Sequence, residues 1–286
     1  MSELFKWLSR TEGRRADNAS AHAMDIGIQD DIAYDPIVSL ETTPAKPAIL
    51  NPVEFDFRLA DPKITCVLDA GTIPGEQFRF LRARLSLLQR QQGLKRLLIT
   101  SSLPGEGKTF VACCLAGILA QEPGKRVLLV DADLRMPRTA KELGLEREGD
   151  LIGLSQILQQ THALKDSLLK LSETELYYLP PGEIPQNPSE LLASDRLEQV
   201  IREAVKLFDW IIIDAPPILN VADTTHLAPL CDAALLIVRA NKTPAKLIQK
   251  AIDTIGKNRI CGILMNRTQK HGSSRYYYKY YYRKSG

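Results

Sequence analysis

Nine residues, Ser101 to Thr109 (SSLPGEGKT), constrain the fold of this chain more than any other segment. They follow the apolar run Arg96 to Thr100 (RLLIT), which predicts a short buried strand, and they lead into residues 108–121, which predict a largely apolar helix. A strand, a glycine-rich turn and Gly-Lys-Thr at the start of a helix form the arrangement that cradles phosphate groups. The sequence therefore predicts a phosphate-binding loop (P-loop) at the carboxyl end of a strand.

The residue types in this loop suit contact with a nucleotide. Gly105 and Gly107 let backbone N–H groups converge on phosphate oxygens, and the helix N-terminus adds partial positive charge. Lys108 supplies a cation for the β- and γ-phosphates, and the Thr109 hydroxyl is a ligand for Mg²⁺. The strict pattern has glycine at position 102, where this chain has Ser102. The predicted nucleotide-binding residues of the loop are Pro104, Gly105, Glu106, Gly107, Lys108 and Thr109.

Apolar runs and helical segments alternate along the rest of the chain. Further strands are predicted at residues 126–130, 176–179, 210–213, 233–238 and 260–265, with helices at 74–90, 189–207 and 244–256. Continuous apolar strands of this length require a sheet that is covered on both faces. The predicted fold class is therefore α/β, a doubly wound and mostly parallel sheet with helices on both faces.

Three aspartates follow two of the predicted strands. Asp131 and Asp133 end the segment LLVDAD, and Asp214 follows the four apolar residues of WIII. Carboxylates at the ends of strands beside a P-loop hold the Mg²⁺ that accompanies a nucleotide, so these three are candidate metal ligands. An aspartate at a strand end is also common as a turn or cap residue, and this interpretation stays open for each one taken alone.

Composition and cysteine usage narrow the class of protein. The chain has 286 residues, 44% hydrophobic and 25% charged, which are ordinary globular proportions. No apolar stretch reaches the roughly 18 to 20 residues that span a bilayer, and no signal peptide is expected at the start. The five cysteines form no C-x-x-C pair, which favours buried thiols in a reducing compartment. We therefore expect a soluble, cytoplasmic protein.

The chain is predicted to have three parts. Residues 1–65 are predicted to be a largely disordered extension with an acidic linker, because they contain four prolines between residues 36 and 52 and show no sustained periodicity. Residues 66–266 are predicted to be the P-loop domain, and residues 267–286 a basic tail. A short opening helix around Leu4 to Leu8 is interpreted either as a docking helix or as a frayed terminal turn.

The tail has an unusual composition. It carries six basic and no acidic residues, and six of the nine tyrosines of the chain lie within residues 276–282. Such a segment is compatible with stacking on nucleic-acid bases, with a buried terminal strand, or with a role as the phosphate acceptor of the chain's own nucleotide site. Fully extended, these 20 residues reach roughly 70 Å, which is long enough to enter the site of a neighbouring subunit.

Taken together, these motifs resemble those of the bacterial tyrosine kinases (BY-kinases), the P-loop kinases of capsule and exopolysaccharide systems. SSLPGEGKT is similar to the family's Walker A motif, whose usual form does not require glycine at position 102. VDADLRMP is similar to its Walker A′ motif, IIIDAPP to its Walker B motif, and the tyrosine cluster to its C-terminal hallmark. Residues 179–197 are similar to a family segment without obvious catalytic chemistry. The resemblance covers about residues 70–286 and implies a P-loop NTPase fold of the MinD/ParA-like type.

The resemblance also implies a role for each site residue in an ATP- and Mg²⁺-dependent tyrosine autokinase. Lys108 would contact the phosphates and Thr109 the Mg²⁺, while Asp131 would assist deprotonation of the incoming tyrosine and Asp133 and Asp214 would organise the metal. Asn266 either contacts the adenine or caps a strand end. The implied phosphate acceptors are Tyr276, Tyr277, Tyr278, Tyr280, Tyr281 and Tyr282.

Assembly and partners follow from the same resemblance. Glu76, Arg79 and Arg82 match the Glu-x-x-Arg-x-x-Arg pattern that the family uses to assemble rings, although Ala83-Arg84-Leu85 depart from the residues that usually follow. The alternative interpretation of these three side chains is a solvated helix face with one ion pair. The implied partners are a membrane polysaccharide co-polymerase (chain-length determinant) as activator and a cognate tyrosine phosphatase. The chain would then lie at the inner face of the cell membrane through its membrane partner.

Two other functions are alternatives to the kinase. A MinD/ParA-like positioning ATPase shares the fold, but such proteins carry a second signature lysine five residues before the P-loop lysine, where this chain has Leu103. Nucleic-acid binding through the tail is disfavoured, because the excess positive charge is confined to one segment and no groove-reading motif accompanies it. We therefore expect no nucleic-acid partner.

Overall fold

The computed structural model describes residues 22–27, 52–55, 62–69, 71–145 and 151–269. Within these residues, nine strands form one sheet in the order β1-β9-β8-β3-β7-β4-β6-β5-β2. The strands are β1 (His22–Gly27), β2 (Val53–Phe55), β3 (Arg96–Ser101), β4 (Val127–Asp131), β5 (Leu169–Leu171), β6 (Leu176–Leu179), β7 (Trp210–Asp214), β8 (Ala233–Arg239) and β9 (Ile260–Gln269). The six strands from β9 to β6 are mutually parallel, whereas β1 runs antiparallel to β9 and β5 antiparallel to β6.

Helices connect these strands. They are α1 (Pro62–Leu68), α2 (Ile73–Gln92), α3 (Lys108–Ala120), α4 (Thr139–Leu143), α5 (Leu154–Leu158), α6 (Pro188–Leu192), α7 (Asp195–Leu207), α8 (Asp223–Leu227) and α9 (Ala245–Ile255). Short 3₁₀ turns lie at Leu164–Asp166, Ala228–Leu230 and Lys257–Arg259. The predicted alternation of strands and helices is confirmed.

The helices cover both faces of the sheet, because successive residues of each central strand face opposite sides. In β3, Leu97 and Ile99 belong to the apolar core that contains α1, α2 and α3. Leu98 belongs to the second core, which contains α7 and α9. The central strands are buried on both faces, and the doubly wound, mostly parallel α/β fold is confirmed.

The structure differs from the sequence prediction at the domain boundaries. Strands β1 and β2 and the first four residues of α1 lie inside residues 1–65, which were predicted to be largely disordered. Ile64 and Val67 of α1 are buried in the core beside α3. At the other end, β9 continues three residues past the predicted boundary at 266. Strands β1 (HAMDIG) and β2 (VEF) lack a clear apolar pattern and join the sheet through backbone pairing with β9 and β5.

The single helix predicted at residues 189–207 is in fact two helices. Ser194 lies between them in an extended conformation, with φ of −77° and ψ of 147°. Its hydroxyl donates to the Leu191 carbonyl at 2.6 Å, which ends α6, and its carbonyl accepts from the Leu197 amide at 3.1 Å, which starts α7. Serine is common at this position because its hydroxyl can form a hydrogen bond with the backbone at a helix end.

The cysteines behave as small apolar residues. All five lie in the described part of the chain and none forms a disulfide. Cys113, Cys114 and Cys231 are buried, and burial raises the pKa of Cys231 to about 12.

Candidate nucleotide-binding site

Three neighbouring parallel strands end at one edge of the sheet, and the candidate site lies there. The P-loop follows β3, Asp131 ends β4 and Asp214 ends β7. Asp131 and Asp214 are direct register partners, and Asp214 also pairs with Ile99 of β3. In open α/β sheets, ligands bind in the crevice outside the carboxyl ends of the strands, so the topology brings the predicted site residues to the expected position.

The P-loop has the backbone conformation that phosphate binding requires. Gly105 and Gly107 adopt left-handed conformations with φ of 77° and 94°. Helix α3 begins directly after Gly107, and no side chain caps its first turn. The amide groups of that turn, together with the positive end of the helix, therefore form a site for an anion.

Substitution of Gly107 by alanine is expected to weaken nucleotide binding more than substitution of Gly105. Both changes force a non-glycine residue into the left-handed region, which costs about 1 to 2 kcal/mol. A Cβ atom on Gly107 would also lie 2.1 Å from Nδ2 of Asn266, whereas no atom of the described residues lies within 4 Å of one on Gly105. We expect a rise in Kd for a fluorescent ADP analogue of about fivefold for Gly105→Ala and about a hundredfold for Gly107→Ala. Equal effects in the two variants would contradict the observed packing of Asn266.

Lys108 faces the carboxylates of the site. Its Nζ lies 3.0 Å from Oδ2 of Asp133 and 3.5 Å from Oδ1 of Asp214. Burial alone would lower the pKa of Lys108, but the charges of Asp214 and Asp133 outweigh burial and raise that pKa above its ordinary value. The lysine is therefore fully protonated at neutral pH and available to an anionic ligand.

Asp131 and Asp214 are fully buried. Burial, together with the charge of Asp214, raises the pKa of Asp131 to about 7. Burial also raises the pKa of Asp214, although the charge of Lys108 opposes this. Two adjacent buried carboxylates do not ionise together easily, because their negative charges repel each other. A divalent cation bound between them would stabilise both in the ionised form, so the pair suits a metal ion.

Asp133 reaches the same cluster because the chain turns after β4. Oδ1 of Asp131 accepts from the Asp133 amide at 3.1 Å, and Oδ1 of Asp133 accepts from the Met136 amide at 3.2 Å. This leaves Oδ2 of Asp133 facing Lys108. Two residues of the Walker A′ segment thus contribute carboxylates to one cluster.

Thr139 is a member of the cluster that the sequence analysis missed. This buried residue opens α4; its amide donates to Oδ2 of Asp131 at 3.2 Å and its hydroxyl to Oδ2 of Asp214 at 3.4 Å. It therefore bridges the two strand-end carboxylates. Its sequence signal is weak, since a threonine at the start of a helix is ordinarily interpreted as a cap.

The oxygen donors of the site fit Mg²⁺. They are the Thr109 hydroxyl, which is buried beside Lys108, and the three aspartates. Within the described residues, no group of three or more His, Cys, Asp or Glu side chains has the spacing of a metal site made by protein ligands alone. Mg²⁺ is commonly held by one or two protein oxygens together with substrate phosphates and water, so the donor set matches that mode of binding.

Asn266 and Glu106 contact each other at the rim of the P-loop. Nδ2 of Asn266 donates to the Glu106 carbonyl at 2.9 Å, and Oδ1 of Asn266 accepts from the Arg267 amide at 2.7 Å. The Glu106 carboxylate is buried and accepts from the Leu103 amide at 2.9 Å. In this structure the Asn266 side chain therefore supports the P-loop backbone.

Arg135 connects the Walker A′ segment to the region at residues 179–197. Its guanidinium donates to the buried carboxylate of Asp223 at 2.8 Å and to the Ser189 hydroxyl at 2.8 Å. Ser189 also donates to Asp223. These bonds join the segment after β4 to α6 and α8, so the region similar to the family segment has a structural contact with the motif beside the site.

The three predicted assembly residues lie on α2 and make bonds within the chain. Arg79 pairs with Glu76 at 3.1 Å and donates to the Leu68 and Asp69 carbonyls at the end of α1. Arg82 donates to the Ile118 carbonyl of α3 at 2.9 Å. The alternative of a purely solvated face is therefore wrong for the two arginines, which tie α2 to α1 and α3. Their predicted role in assembly stays a prediction.

Comparisons with known proteins agree with this geometry. The AAA domain family matches residues 95–259 of the chain. Tyrosine-protein kinase YwqD of Bacillus subtilis is 34% identical over 218 residues, which cover 75% of this chain and 90% of YwqD. The chain belongs to the bacterial tyrosine kinases. It is accordingly an enzyme, a protein-tyrosine kinase with a nucleotide-binding P-loop fold.

Other bacterial tyrosine kinases support this assignment. Tyrosine-protein kinase etk of Escherichia coli K12 is 33% identical over 206 residues, which are 71% of this chain but 28% of etk. The solved kinase domain of the Escherichia coli enzyme superposes with a TM-score of 0.66 at 26% identity, covering 82% of this chain and 88% of that one. The chimerical protein CapA2B2 gives the same TM-score and identity, with 77% of this chain and 96% of that one covered.

The remaining sequence predictions concern membrane-spanning helices and the two ends of the chain. Within the described residues, no helix combines the length and the apolar character needed to cross a membrane. The six tail tyrosines (Tyr276, Tyr277, Tyr278, Tyr280, Tyr281 and Tyr282) and the predicted opening helix around Leu4 to Leu8 lie outside the described residues.

Proposed function

We propose that this bacterial tyrosine kinase is an autokinase that transfers the γ-phosphoryl group of ATP to the tyrosines of its own tail, in trans between copies of the chain. The single observation that carries the proposal is the cluster of Lys108 and three aspartates beside an uncapped helix N-terminus. That cluster belongs to a chain with six tyrosines within residues 276–282.

The nucleotide and metal would be held by residues of this cluster. The amides of Gly105 and Gly107 and the Lys108 ammonium would bind the phosphates, while Thr109 and the aspartates would hold Mg²⁺. When bound, Mg²⁺ neutralises charge on the phosphates and orients them for transfer. The raised pKa of Lys108 supports this assignment, because the lysine keeps its charge throughout the physiological range.

The transfer itself needs a proton acceptor. The tyrosine oxygen would form a bond to the γ-phosphorus as the bond between that phosphorus and the β,γ-bridging oxygen breaks, and ADP would leave with the bridging oxygen. The phenolic proton would pass to Asp131. A tyrosine hydroxyl with a pKa of about 10 is a poor nucleophile at neutral pH, so a carboxylate within hydrogen-bond reach of it is needed to accept its proton.

Asn266 is proposed to contact the adenine. It is buried against the P-loop and its side chain is anchored there by Glu106 and Arg267. The second proton of its amide nitrogen is left for an acceptor such as a purine ring nitrogen. A strand cap alone would not require contact with the P-loop backbone.

Phosphorylation of the tail would act as a charge switch. Each phosphate adds about −1.5 to −2 charges at pH 7, so six would add roughly −9 to −12 to a tail that carries six basic residues. Such a reversal would change how the tail associates with the mildly acidic remainder of the chain or with neighbouring subunits. This is the proposed basis for regulation of exopolysaccharide or capsule polymerisation and export.

The remaining elements of the proposal concern assembly and location. Copies of the chain would form a ring through α2, with Glu76, Arg79 and Arg82 at the contact. A membrane polysaccharide co-polymerase would activate the kinase and hold it at the inner face of the membrane, and a tyrosine phosphatase would remove the phosphates. These partners are those of capsule systems that the family resemblance implies.

Replacement of all six tail tyrosines by phenylalanine is expected to abolish phosphotyrosine formation and to leave ATP hydrolysis in place. The change removes the acceptor hydroxyls but none of the residues of the nucleotide site. The measurement is incubation with Mg²⁺ and labelled ATP, followed by phosphotyrosine detection and peptide mapping. The activating cytoplasmic segment of a co-polymerase is added in a parallel reaction.

The Tyr34→Phe variant is the matched control, because it changes a tyrosine outside the tail and is expected to label like the wild type. ATP hydrolysis by the wild type without any phosphotyrosine, even with the activator, would contradict the autokinase. It would favour a switch ATPase of the positioning type instead.

A further inference from the structure

A buried carboxylate lies inside the P-loop, where bound phosphates would repel it. The Glu106 side chain is 3% exposed, although the loop that contains it is the one that binds anions. Burial of a charged group is unfavourable unless the group is hydrogen-bonded. The Glu106 carboxylate must therefore have a structural reason to be there.

Its hydrogen bonds tie the P-loop to the turn between β8 and α9. One carboxylate oxygen accepts from the Leu103 amide at 2.9 Å, which closes the loop on itself. The other accepts from the hydroxyl of Thr243, and the Arg239 amide lies 3.5 Å from it. The Thr243 hydroxyl also accepts from the Arg239 amide at 3.1 Å, so its orientation is fixed at both ends.

The backbone carbonyl of Glu106 is also held by a hydrogen bond. The Glu106 carbonyl accepts from Nδ2 of Asn266, and the Asn266 carbonyl accepts from the Ala240 amide at 2.9 Å. Glu106 is thus held through its carboxylate by the turn after β8 and through its carbonyl by the end of β9. Its peptide lies between Gly105 and Gly107, whose amides are the candidate phosphate contacts.

Helix capping does not account for Thr243. Helix α9 begins at Ala245 with Pro244 at its N-cap position, and no side chain caps that helix. The Thr243 hydroxyl donates to Glu106, 137 residues away in the sequence. Its described contacts therefore serve the P-loop and not the helix that follows.

From these contacts we infer that Thr243 is a positioning residue for the nucleotide. It acts through Glu106, whose carboxylate it directs away from the phosphate site, so that the amides on either side of Glu106 face the phosphates of a nucleoside di- or triphosphate. This inference rests on the proposed function for the identity of the ligand. It adds a residue from the turn after β8 to a site otherwise built from the P-loop, the aspartates and Asn266.

The test is a double-mutant cycle on nucleotide binding with Thr243→Val, Glu106→Gln and the double variant of the full chain. Kd is measured for a fluorescent ADP analogue with Mg²⁺, and KM and kcat for ATP are measured in parallel. Loss of a hydrogen bond to a charged group is expected to raise Kd and KM by about tenfold for Thr243→Val, with a smaller effect on kcat. The double variant is expected to bind no more weakly than the weaker single variant, because the two residues act as one unit.

The Thr243→Ser variant is the matched control, since it retains the hydroxyl and is expected to bind within about twofold of the wild type. Wild-type affinity in Thr243→Val, or additive effects in the double variant, would overturn the inference. If Thr243→Val unfolds at a lower temperature than the wild type, nucleotide binding is compared between Thr243→Ser and Glu106→Gln instead. Weaker binding in Glu106→Gln alone supports the inference. Unchanged binding in both variants overturns it. Nucleotide binding by a wild type that forms no phosphotyrosine would contradict the proposed function and leave this inference standing.

Discussion

The Lys108→Met variant is expected to lose phosphotyrosine formation by about a thousandfold, the scale at which removal of a single charge-stabilising group slows transfer reactions. Lys108 is the cation that faces both Asp133 and Asp214, and its Nζ lies at the start of α3 where the phosphates would bind. Methionine keeps the length and apolar stem of the side chain and removes the charge. The loss is measured with labelled ATP and by the Kd of the fluorescent ADP analogue.

A matched control for this variant is Lys125→Met. Lys125 precedes β4 at the opposite edge of the sheet and pairs with Asp209 at 3.7 Å. We expect this variant to retain wild-type phosphorylation within about twofold, since partly exposed ion pairs contribute little. Comparable losses in both variants would mean that overall charge, and not the position of Lys108, accounts for the effect.

The stability of the chain without nucleotide and Mg²⁺ is expected to fall as the pH rises from about 4 to about 7. The pKa of Asp131 is raised to about 7 in the folded state, above its ordinary value of 3.8, so the folded state binds more protons than the unfolded state between these values. The stabilisation is therefore fully present below pH 3.8 and is lost as the pH rises through about 7. Its size is on the order of 4 kcal/mol, because one pKa unit corresponds to about 1.4 kcal/mol. The raised pKa of Asp214 acts in the same direction.

Urea unfolding of the wild type and of Asp131→Asn at several pH values measures this effect. The variant cannot ionise at position 131, so its free energy of unfolding is expected to fall less steeply with pH. Asparagine also changes the bonds that Asp131 accepts from the Asp133 and Thr139 amides, and this alters the absolute free energy of unfolding. The two proteins are therefore compared by how steeply their free energies of unfolding change with pH. Addition of Mg²⁺ and ADP is expected to flatten the wild-type slope, because the cation stabilises the ionised carboxylates. Equal slopes in the two proteins without ligand would contradict the shared burial of Asp131 and Asp214.

The residues that could be predicted from the sequence are those whose position depends on local pattern. Asp131 and Asp214 follow apolar strands, and Lys108 follows a glycine-rich turn, so their convergence follows from the parallel sheet alone. Thr139 and Thr243 were missed because the Asp214 and Glu106 carboxylates to which their hydroxyls donate lie 75 and 137 residues away, and neither bond has a local signature. Long-range side-chain bonds of this kind depend on packing that a single sequence does not reveal.

The contrast between local sequence pattern and long-range packing also applies to the assembly residues and the outer strands. The spacing of Glu76 and Arg79 predicts a neighbouring pair on one helix face, and the structure contains it. The bond from Arg82 to the Ile118 carbonyl depends on how α2 packs against α3, which the spacing does not give. Likewise the six parallel strands carry clear apolar runs, whereas β1 and β2 join the sheet by pairing with β9 and β5.

The central claim, phosphorylation of the tail of one copy by the site of another, is tested most directly by mixing two inactive chains. The Lys108→Met chain keeps its tyrosines but lacks the phosphate-binding cation, and the six-phenylalanine chain keeps its site but lacks the acceptors. With Mg²⁺, labelled ATP and the activating segment, neither chain alone is expected to form phosphotyrosine. The mixture is expected to label residues 276–282 of the Lys108→Met chain. A wild type that labels its tail beside a mixture that stays unlabelled would contradict transfer between copies.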